Sequence, residues 1–547
     1  MEIRVLSSLE KVFRDEKPSA PTHSSVSALR GERVSFQIAC CMDGQNLMPI
    51  SAQARTTPDI PVEVYEVETV PVTLPAYVRR DADYLRVTPG LYPDLLMPHN
   101  GRFTLNSGQW RSLWISLVVP ADAAGPLSVR VRLNNTDDPS IQLGEVSFVI
   151  NVVPILLPAQ KLIHTEWFHC DCLATHYRVP VFSEEHWLLI GRYMKNAADF
   201  GINMILTPVF TPPLDTEPGK ERPTVQLVDV IVRDGVYSFC FDKLERYMRL
   251  AEECGIQYFE ISHLFTQWGA AYAPKIVADI QGENRRIFGW ETDAGSPEYV
   301  SFLRTFLTSL RRFLSVSGRE SRCYFHISDE PSLEMLEEYR RARESVADVL
   351  EGLPIMDALS DYAFYEKGIV TRPIPAIDHA DVFAAHHVKP LWTYYCCAQG
   401  ADVSNRFISM PSYRSRVIAS QLYKYQIEGF LQWGYNFWYS GDSRQSIQPF
   451  ADTCAHDSFP GGDAFLVYPG EDGSPISSLR QMVFFEALQD LRAFQLLESL
   501  TSYEEVLKLI EDGCGEKITF TSYPRDAEWI LSVRDRVNHQ IGSICIR

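Results

Sequence analysis

The feature that most constrains the fold is a change of hydrophobic rhythm near residue 157. Before this point, short β-branched runs alternate apolar and polar residues, for example at 33–39, 62–67 and 127–133. A period of two places the apolar side chains on one face of a strand. Turn residues such as Asn134-Asn135 separate the runs. The pattern predicts an antiparallel β-sandwich over residues 1–156.

After residue 157, strand-like runs alternate with amphipathic stretches that have helical spacing. The predicted strands are 162–169, 203–207, 257–263, 322–328, 354–358, 382–385, 390–396 and 429–437, and the predicted helices include 185–200, 241–254, 297–315, 331–350 and 412–427. Eight strands that alternate with helices predict a (β/α)8 TIM-type barrel over residues 157–500. A doubly wound open sheet is the alternative, but no strand precedes a glycine-rich phosphate loop. Residues 501–547 are expected to form a small α/β tail that packs on the barrel.

Charge and cysteine content restrict the partners. A net charge of −19 argues against nucleic acid or an anionic membrane, because phosphate binding requires clustered Lys and Arg. No window approaches the 18 consecutive apolar residues of a membrane helix. No signal peptide is visible after Met1, and the 12 Cys form no CxxC pair, so we expect reduced thiols and a cytoplasmic location. The oligomeric state is not indicated.

Polar and aromatic residues gather where the barrel strands are predicted to end. Catalytic groups of such barrels lie at the carboxyl ends of the strands. The candidates for substrate contact are Trp167, His169, Asp171, Asn203, His263, His326, Asp357, Trp392, Tyr394, Tyr395, Trp433 and Asn436. Each of them taken alone is also compatible with ordinary packing or with a structural hydrogen bond.

The sharpest feature is the acid pair Asp329-Glu330, which closes an apolar strand and precedes Pro331. Pro331 favours an extended conformation at Glu330 and suits the first turn of a helix. At such a bend both side chains can reach one ligand. Their like charges raise the pKa of the less solvated group, which suits an acid that donates a proton near neutral pH. The helix dipole also favours acids at this position without any catalysis.

The run from His326 to Pro331 resembles the catalytic motif of glycoside hydrolase family 123, the β-N-acetylgalactosaminidases. Residues 429–436 and 462–470 are similar to the related domain of unknown function 4091, and 167–172 and 404–407 add to the likeness. The resemblance covers roughly residues 30 to 500. It also implies an N-terminal β-sandwich before the barrel.

The resemblance implies a retaining exo-glycosidase that acts on terminal β-N-acetylgalactosaminides or related N-acetylhexosaminides, with no metal and no cofactor. Asp329 would accept a hydrogen bond from the acetamide N–H of the substrate, whose carbonyl oxygen would attack C1 and form an oxazoline. Glu330 would protonate the leaving oxygen and then deprotonate water. A hydroxyl from Tyr394 or Tyr395 would donate to the acetamide oxygen. The sequence does not choose between them, because they face opposite sides of a strand.

Two other functions remain open at this point. A metal-dependent barrel hydrolase would explain why His recurs at strand ends, but no HxH pair is present and His386-His387 are adjacent. The second is a non-catalytic carbohydrate-binding protein on a glycosidase scaffold, against which the intact Asp329-Glu330 pair argues. The expected partner in either sugar-related case is a glycan or glycoconjugate with a terminal amino sugar.

Overall fold

The computed structural model describes residues 1–44, 47–138, 140–267, 269–515 and 517–545. Its N-terminal part contains strands β1 to β10, which span Glu2–Ser7, Ser25–Arg30, Arg33–Cys41, Met48–Thr57, Glu63–Val72, Gly90–Pro98, Phe103–Leu105, Arg111–Val118, Leu127–Asn135 and Gln142–Leu156. They form two five-stranded sheets, ordered β1-β3-β8-β5-β6 and β2-β10-β9-β4-β7. Within the described ranges every ladder of these sheets is antiparallel except that between β2 and β10, which is parallel. The prediction of a β-rich part with antiparallel sheets is confirmed, and β2 is the exception.

The alternation of side chains along β9 shows how these sheets obtain a core. Val129 and Val131 are buried, whereas Arg130 between them is exposed. Inward side chains of both sheets meet in one apolar cluster, in which the rings of Phe36 and Phe148 stack with centroids 4.0 Å apart. Burial of apolar surface stabilises such a core by about 25 cal/mol per Å².

The C-terminal part alternates strands and helices. Along the chain its elements are β11 (Ile163–Glu166), α1 (Cys170–Tyr177), α2 (Glu184–Asp199), β12 (Met204–Thr207), β13 (Asp229–Arg233), β14 (Val236–Cys240), α3 (Asp242–Cys254), β15 (Tyr258–Ile261), β16 (Ile276–Ile280), β17 (Glu283–Phe288), α4 (Pro297–Val316), β18 (Cys323–Phe325), α5 (Leu336–Glu344), β19 (Asp357–Ala358), α6 (Ala363–Glu366), β20 (Pro373–Ile374), α7 (Ala380–Ala385), β21 (Trp392–Tyr394), α8 (Ser412–Arg416), α9 (Ile418–Lys424) and β22 (Gly429–Gln432). Helix α4 begins as the sequence predicts, since the Ser296 hydroxyl caps its first turn and Pro297 follows.

Six of these strands form one parallel sheet, ordered β18-β15-β12-β11-β22-β21. The short strands β19 and β20 also pair in parallel. Single parallel bridges connect Phe325 to Ile355 at one edge of the sheet and Ala376 to Tyr394 at the other. The predicted parallel sheet is confirmed. Because its strands run in one direction, the loops after their carboxyl ends gather on one side of the molecule.

One predicted strand is wrong. Residues 382–385 belong to helix α7, and β20 occupies the expected place of that strand in the chain. β20 has only two residues and is followed by Pro375, so it carries almost no periodicity for a sequence reading to detect. The predicted helix 331–350 is also shortened, because α5 starts at Leu336 after a 3-10 turn from Leu333 to Met335.

A second, four-stranded sheet, which the sequence reading missed, is inserted beside the parallel one. Its order is β14-β13-β16-β17, and its strands lie in the segments that follow β12 and β15. These segments leave the parallel sheet at the carboxyl ends of its strands, so they extend the same side of the molecule.

The remaining elements are β23 (Tyr468–Pro469), β24 (Pro475–Ile476) and helices α10 (Leu479–Leu500), α11 (Tyr503–Glu511) and α12 (Ala527–Cys545). The predicted α/β tail is wrong in its β part, since no strand occurs among the described residues after 501. Arg534 of α12 pairs with Glu32 at 2.6 Å and with Asp490 of α10 at 3.0 Å. The tail thus contacts the N-terminal part as well as α10. No described helix is long and apolar enough to cross a membrane.

Candidate active site

A cavity of about 170 Å³ opens at the carboxyl ends of the parallel strands. This is the side on which ligands bind in open α/β sheets. Its lining includes six residues predicted from the sequence: Trp167, His169, Asp329, Glu330, Tyr394 and Trp433. The other lining residues are Leu214, Asp215, Gln267, Ala358, Cys396, Cys397, Leu431, Phe437 and Phe459.

Asp329 and Glu330 reach this cavity from the turn that follows β18. Glu330 has a φ of +44°, in the left-handed region, and its N–H donates to the carbonyl oxygen of Ala358 at 2.9 Å. Such a conformation costs a residue with a side chain about 1–2 kcal/mol. The extended conformation predicted for Glu330 before Pro331 is therefore wrong. The bond to Ala358 instead stabilises a turn in which both carboxyl groups line one cavity.

The two carboxyl groups differ in solvation. Asp329 is only 8% exposed, whereas Glu330 is an exposed residue. Burial, followed by the charge of Glu330, raises the pKa of Asp329 well above its usual range, although the charge of His326 opposes this shift. Asp329 is thus the less solvated member of the pair and the one whose protonated form is favoured.

The structure separates the two candidate tyrosines. The Tyr394 hydroxyl lies in the cavity and donates to Glu330 Oε1. Burial, followed by the charge of Glu330, raises the pKa of Tyr394 well above its usual range, so the hydroxyl stays protonated and remains a donor. Tyr395 is fully buried, packs against Phe430, and has a hydroxyl without a hydrogen-bond partner among the described residues.

A buried network of hydrogen bonds lies behind the acid pair. His326 donates from Nε2 to Glu260 Oε1 at 2.6 Å and from Nδ1 to Asp357 Oδ1 at 3.1 Å. Burial lowers the pKa of His326, but the bonds and charges of the two carboxylates outweigh it and raise the pKa to about 10. Trp167 of the cavity wall donates from Nε1 to the same Glu260 oxygen at 2.7 Å. His326 therefore supplies a positive charge close to Asp329 and does not contact the cavity.

His263 stacks on His326, with ring centroids 4.3 Å apart, and neither of its nitrogens has a hydrogen-bond partner among the described residues. Burial, followed by the charge of His326, lowers the pKa of His263 well below its usual value. With Asp357 the two histidines bring possible metal ligands within 4.8 Å of one another. Both nitrogens of His326 already donate to carboxylates, which leaves that ring no lone pair for a metal. That no metal is required stays a prediction.

His169 of the cavity lining is fixed between two partners. Arg222 donates to its Nδ1 at 3.0 Å, and its Nε2 donates to the carbonyl oxygen of Trp433 at 3.0 Å. Burial, followed by the charge of Arg222, lowers the pKa of His169 to about 3. Asp171 pairs with Arg222 through two bonds of 2.8 Å. The ring is therefore neutral and positions Trp433, while Asp171 acts through Arg222.

Eight predicted binding residues do not line the cavity: Asp171, Asn203, His263, His326, Asp357, Trp392, Tyr395 and Asn436. Asn203 lies at the amino end of β12, where it bonds the backbone of Leu162 and His164. Asn436 bonds both backbone polar groups of His169. Trp392 packs so closely on Gly429 that a Cβ there would lie 2.0 Å from the indole ring. These residues hold the strands that carry the site.

The sequence reading missed several residues that the cavity uses. Asp215 and Gln267 come from long loops without a motif, and nothing in the sequence indicates that they meet. Phe437 and Phe459 add apolar walls beside Trp433. Glu260 could have been found, because it is a carboxylate within the apolar strand Tyr258–Ile261 and such a group requires a buried partner.

Comparison with known proteins relates the chain to a protein family. Residues 167–497 match the family model described as glycoside hydrolase 123, catalytic domain. The structure is similar to that of a family 123 glycoside hydrolase from Clostridium perfringens, described in connection with glycolipid glycan hydrolysis, with a TM-score of 0.75 and 14% identity over 99% of this chain and 98% of that chain. At that identity the likeness shows a shared fold. No curated protein matches the sequence.

Two further solved structures are only weakly similar to this one. A β-glucuronidase from Parabacteroides merdae has a TM-score of 0.32 and 11% identity over 84% of this chain and 50% of that chain. A GH10 xylanase from Thermobacillus composti has a TM-score of 0.30 and 11% identity over 60% of this chain and 97% of that chain. The family model, in contrast, spans more than half of the chain and includes Asp329, Glu330 and Tyr394. The chain therefore belongs to glycoside hydrolase family 123 and is a glycoside hydrolase.

Proposed function

We propose that the protein is a retaining exo-glycosidase that hydrolyses terminal β-N-acetylgalactosaminides, or related N-acetylhexosaminides, with the acetamide of the substrate as the nucleophile. The observation that carries this proposal is the placement of Asp329 and Glu330. They are consecutive residues on one turn, they line one cavity, and one is buried while the other is exposed. Two such groups can serve two neighbouring parts of one sugar.

In the first step Glu330 donates a proton to the glycosidic oxygen, and the bond between C1 and that oxygen breaks. The acetamide carbonyl oxygen forms a bond to C1 from the opposite face, which gives a cyclic oxazoline. In the second step Glu330 removes a proton from water as the water oxygen attacks C1. The ring opens, the acetamide is restored, and the anomeric configuration is retained. The exposure of Glu330 suits a group that meets both leaving group and water.

Asp329 accepts the acetamide N–H and stabilises the positive charge that develops on the nitrogen. A hydrogen bond to the charged form of a carboxyl group lowers its pKa, so substrate binding shifts Asp329 towards the carboxylate. The positive charge of His326 acts in the same direction. Tyr394, whose hydroxyl donates to Glu330 without substrate, turns towards the acetamide oxygen when substrate is bound. This leaves the Glu330 carboxyl group free to face the leaving oxygen.

The proposed substrate is a glycan or glycoconjugate with a terminal amino sugar. Trp433, Phe437 and Phe459 supply flat apolar surfaces for the face of a sugar ring. The relative from Clostridium perfringens is described in connection with glycolipid glycan hydrolysis, which makes a glycolipid glycan a candidate here as well.

We also propose that the eight parallel strands close into a (β/α)8 barrel. The support is that β19 and β20 pair with each other while the bridges Phe325–Ile355 and Ala376–Tyr394 connect them to the two edge strands. This arrangement would place all eight strand ends around the cavity.

The experiment that tests the function measures turnover of 4-nitrophenyl β-GalNAc, β-GlcNAc, β-Gal and β-Glc by the native protein. We expect hydrolysis of one or both N-acetylhexosaminides and almost none of the plain hexosides, since these lack the nucleophile. Proton NMR during turnover should show the β-anomer first. Equal rates on the plain and the N-acetylated sugars, or release of the α-anomer, would contradict the proposal.

A further inference from the structure

Asp215 enters the cavity from the loop between β12 and β13, and its backbone is held in an unusual conformation. Its φ is +40°, in the left-handed region. The Ser443 hydroxyl donates to its carbonyl oxygen at 2.5 Å, and its own N–H donates to Gln267 Oε1. Arg222, which also fixes His169, donates to the carbonyl oxygen of Leu214 at 3.2 Å. The loop is thus built to place one carboxyl group.

Asp215 and Gln267 each keep one side-chain polar atom that has no hydrogen-bond partner among the described residues. Asp215 Oδ2 is buried and has no hydrogen-bond partner among the described residues. The side-chain oxygen of Gln267 accepts a hydrogen bond from the N–H of Asp215, and its side-chain nitrogen donates to none of the described residues. A buried carboxylate oxygen without a partner destabilises the free protein, and a ligand that donates to it removes this cost. Burial, followed by the charge of Asp442, raises the pKa of Asp215 to about 6, although backbone N–H groups of Asp442 and Ser443 act on the carboxyl group to lower it.

Together these two residues offer one free acceptor and one free donor. A sugar hydroxyl is the group that matches both, because its hydrogen can donate while its oxygen accepts. An ammonium group or a carbonyl group would satisfy only one of the two. The carboxylate would also make the bond charge-assisted, which is the stronger kind.

We propose that Asp215 and Gln267 form a hydroxyl clamp, which binds one ring hydroxyl of the terminal sugar and so contributes to the choice of substrate. This inference rests on the proposed function, since it takes the occupant of the cavity to be a hexosamine. Asp329 and Glu330 serve the acetamide and the glycosidic oxygen. The hydroxyl clamp serves a different part of the ring.

The test combines variants of the clamp with sugars that lack single hydroxyls. Binding of free N-acetylgalactosamine, N-acetylglucosamine and their 3-, 4- and 6-deoxy forms is measured by tryptophan fluorescence, because Trp167 and Trp433 line the cavity. The variants are Asp215→Asn, which keeps the shape, and Asp215→Gly, which removes the carboxyl group. Asn and Gly, the residues introduced at position 215, both tolerate a left-handed backbone. Asp234→Asn is the matched control, because Asp234 also has a left-handed backbone, with a φ of +51°, but it is exposed and does not line the cavity.

For the native protein we expect one deoxy sugar to bind about 10- to 100-fold more weakly than its parent. Asp215→Gly should bind the parent more weakly by a similar factor and should no longer distinguish it from that deoxy sugar. Asp215→Asn should lie between, and Asp234→Asn should behave like the native protein. Thermal melting confirms that each variant is folded.

The hydroxyl clamp is overturned if Asp215→Gly binds the parent as the native protein does, or if it loses the same factor with every deoxy sugar. It is also overturned if the native protein binds none of these sugars. The turnover panel reports separately on the proposed function. If the protein hydrolyses N-acetylhexosaminides but Asp215→Gly still distinguishes the parent from the deoxy sugar, the hydroxyl clamp alone is wrong. If Asp215→Gly loses this distinction but the native protein hydrolyses no N-acetylhexosaminide, the proposed reaction alone is wrong.

Discussion

The structure makes a sharp prediction for two consecutive tyrosines. Tyr394→Phe removes a hydroxyl that donates to Glu330 and that we assign to the acetamide oxygen in the complex. Tyr395→Phe removes the neighbouring hydroxyl, which is buried and has no hydrogen-bond partner among the described residues. The two changes delete the same atom from the same kind of residue, one position apart.

The size of the effect follows from the bond that is lost. In the complex, loss of this hydroxyl leaves the acetamide oxygen without its donor in a buried site, which costs about 1–3 kcal/mol. At about 1.36 kcal/mol for each factor of ten, Tyr394→Phe should lower kcat/KM about 5- to 150-fold. Tyr395→Phe removes a buried group that is unsatisfied, so it should leave kcat/KM within about twofold and leave Tm unchanged or slightly raised.

The assay is kcat/KM on an aryl β-N-acetylgalactosaminide at neutral pH, with Tm measured for both variants. The reasoning is refuted if the two variants lose activity equally, or if Tyr394→Phe retains the native rate while folded. A loss confined to Tyr395→Phe would show that the donor to the acetamide is misassigned.

Three further predictions follow from the site. Glu330→Gln cannot give a proton and should lose about 10²–10⁴-fold on substrates with poor leaving groups but less on activated aryl glycosides; equal losses would remove it as the acid. The folded-state pKa of His326, about 10, lies above its ordinary value of 6.5. The contribution of His326 to stability should therefore be complete below about pH 6.5 and be lost as the pH rises through 10. Over that range Tm should fall in the native protein and fall less in His326→Gln. Parallel curves of Tm against pH for the two proteins would contradict this. Dialysis against EDTA should leave the rate unchanged, and a loss restored by zinc or manganese would point to a metal site at His263, His326 and Asp357.

Local patterns in the sequence were sufficient for the parts of the fold that depend on periodicity. The alternation in β9 and the apolar strands of the parallel sheet could be read from residue spacing, and the acid pair could be placed at the end of one such strand. The direction of parallel strands then explains why Trp167, Tyr394 and Trp433 share a cavity with Asp329 and Glu330.

The rest depended on contacts between distant parts of the chain. Asn203 was assigned to the site although it is the first residue of the predicted strand 203–207, and the structure places it at the amino end of β12, opposite the cavity. His326 was predicted to contact the sugar. The structure buries it between Glu260 and Asp357, and these residues come from two other strand segments that the local sequence around His326 does not indicate. Asp215 carries no local signal, because its position depends on a loop that is fixed by bonds to Gln267 and Ser443.

The central claim is that the acetamide of the substrate is the nucleophile, and one series of rates tests it most directly. Aryl β-N-acylgalactosaminides that carry acetyl, fluoroacetyl, difluoroacetyl and trifluoroacetyl groups differ in the electron density of the attacking oxygen but share the leaving group. The account predicts that kcat/KM falls with each added fluorine. Equal rates across the series, together with a sugar trapped covalently on a carboxylate such as Asp215, would show an enzymic nucleophile and contradict it.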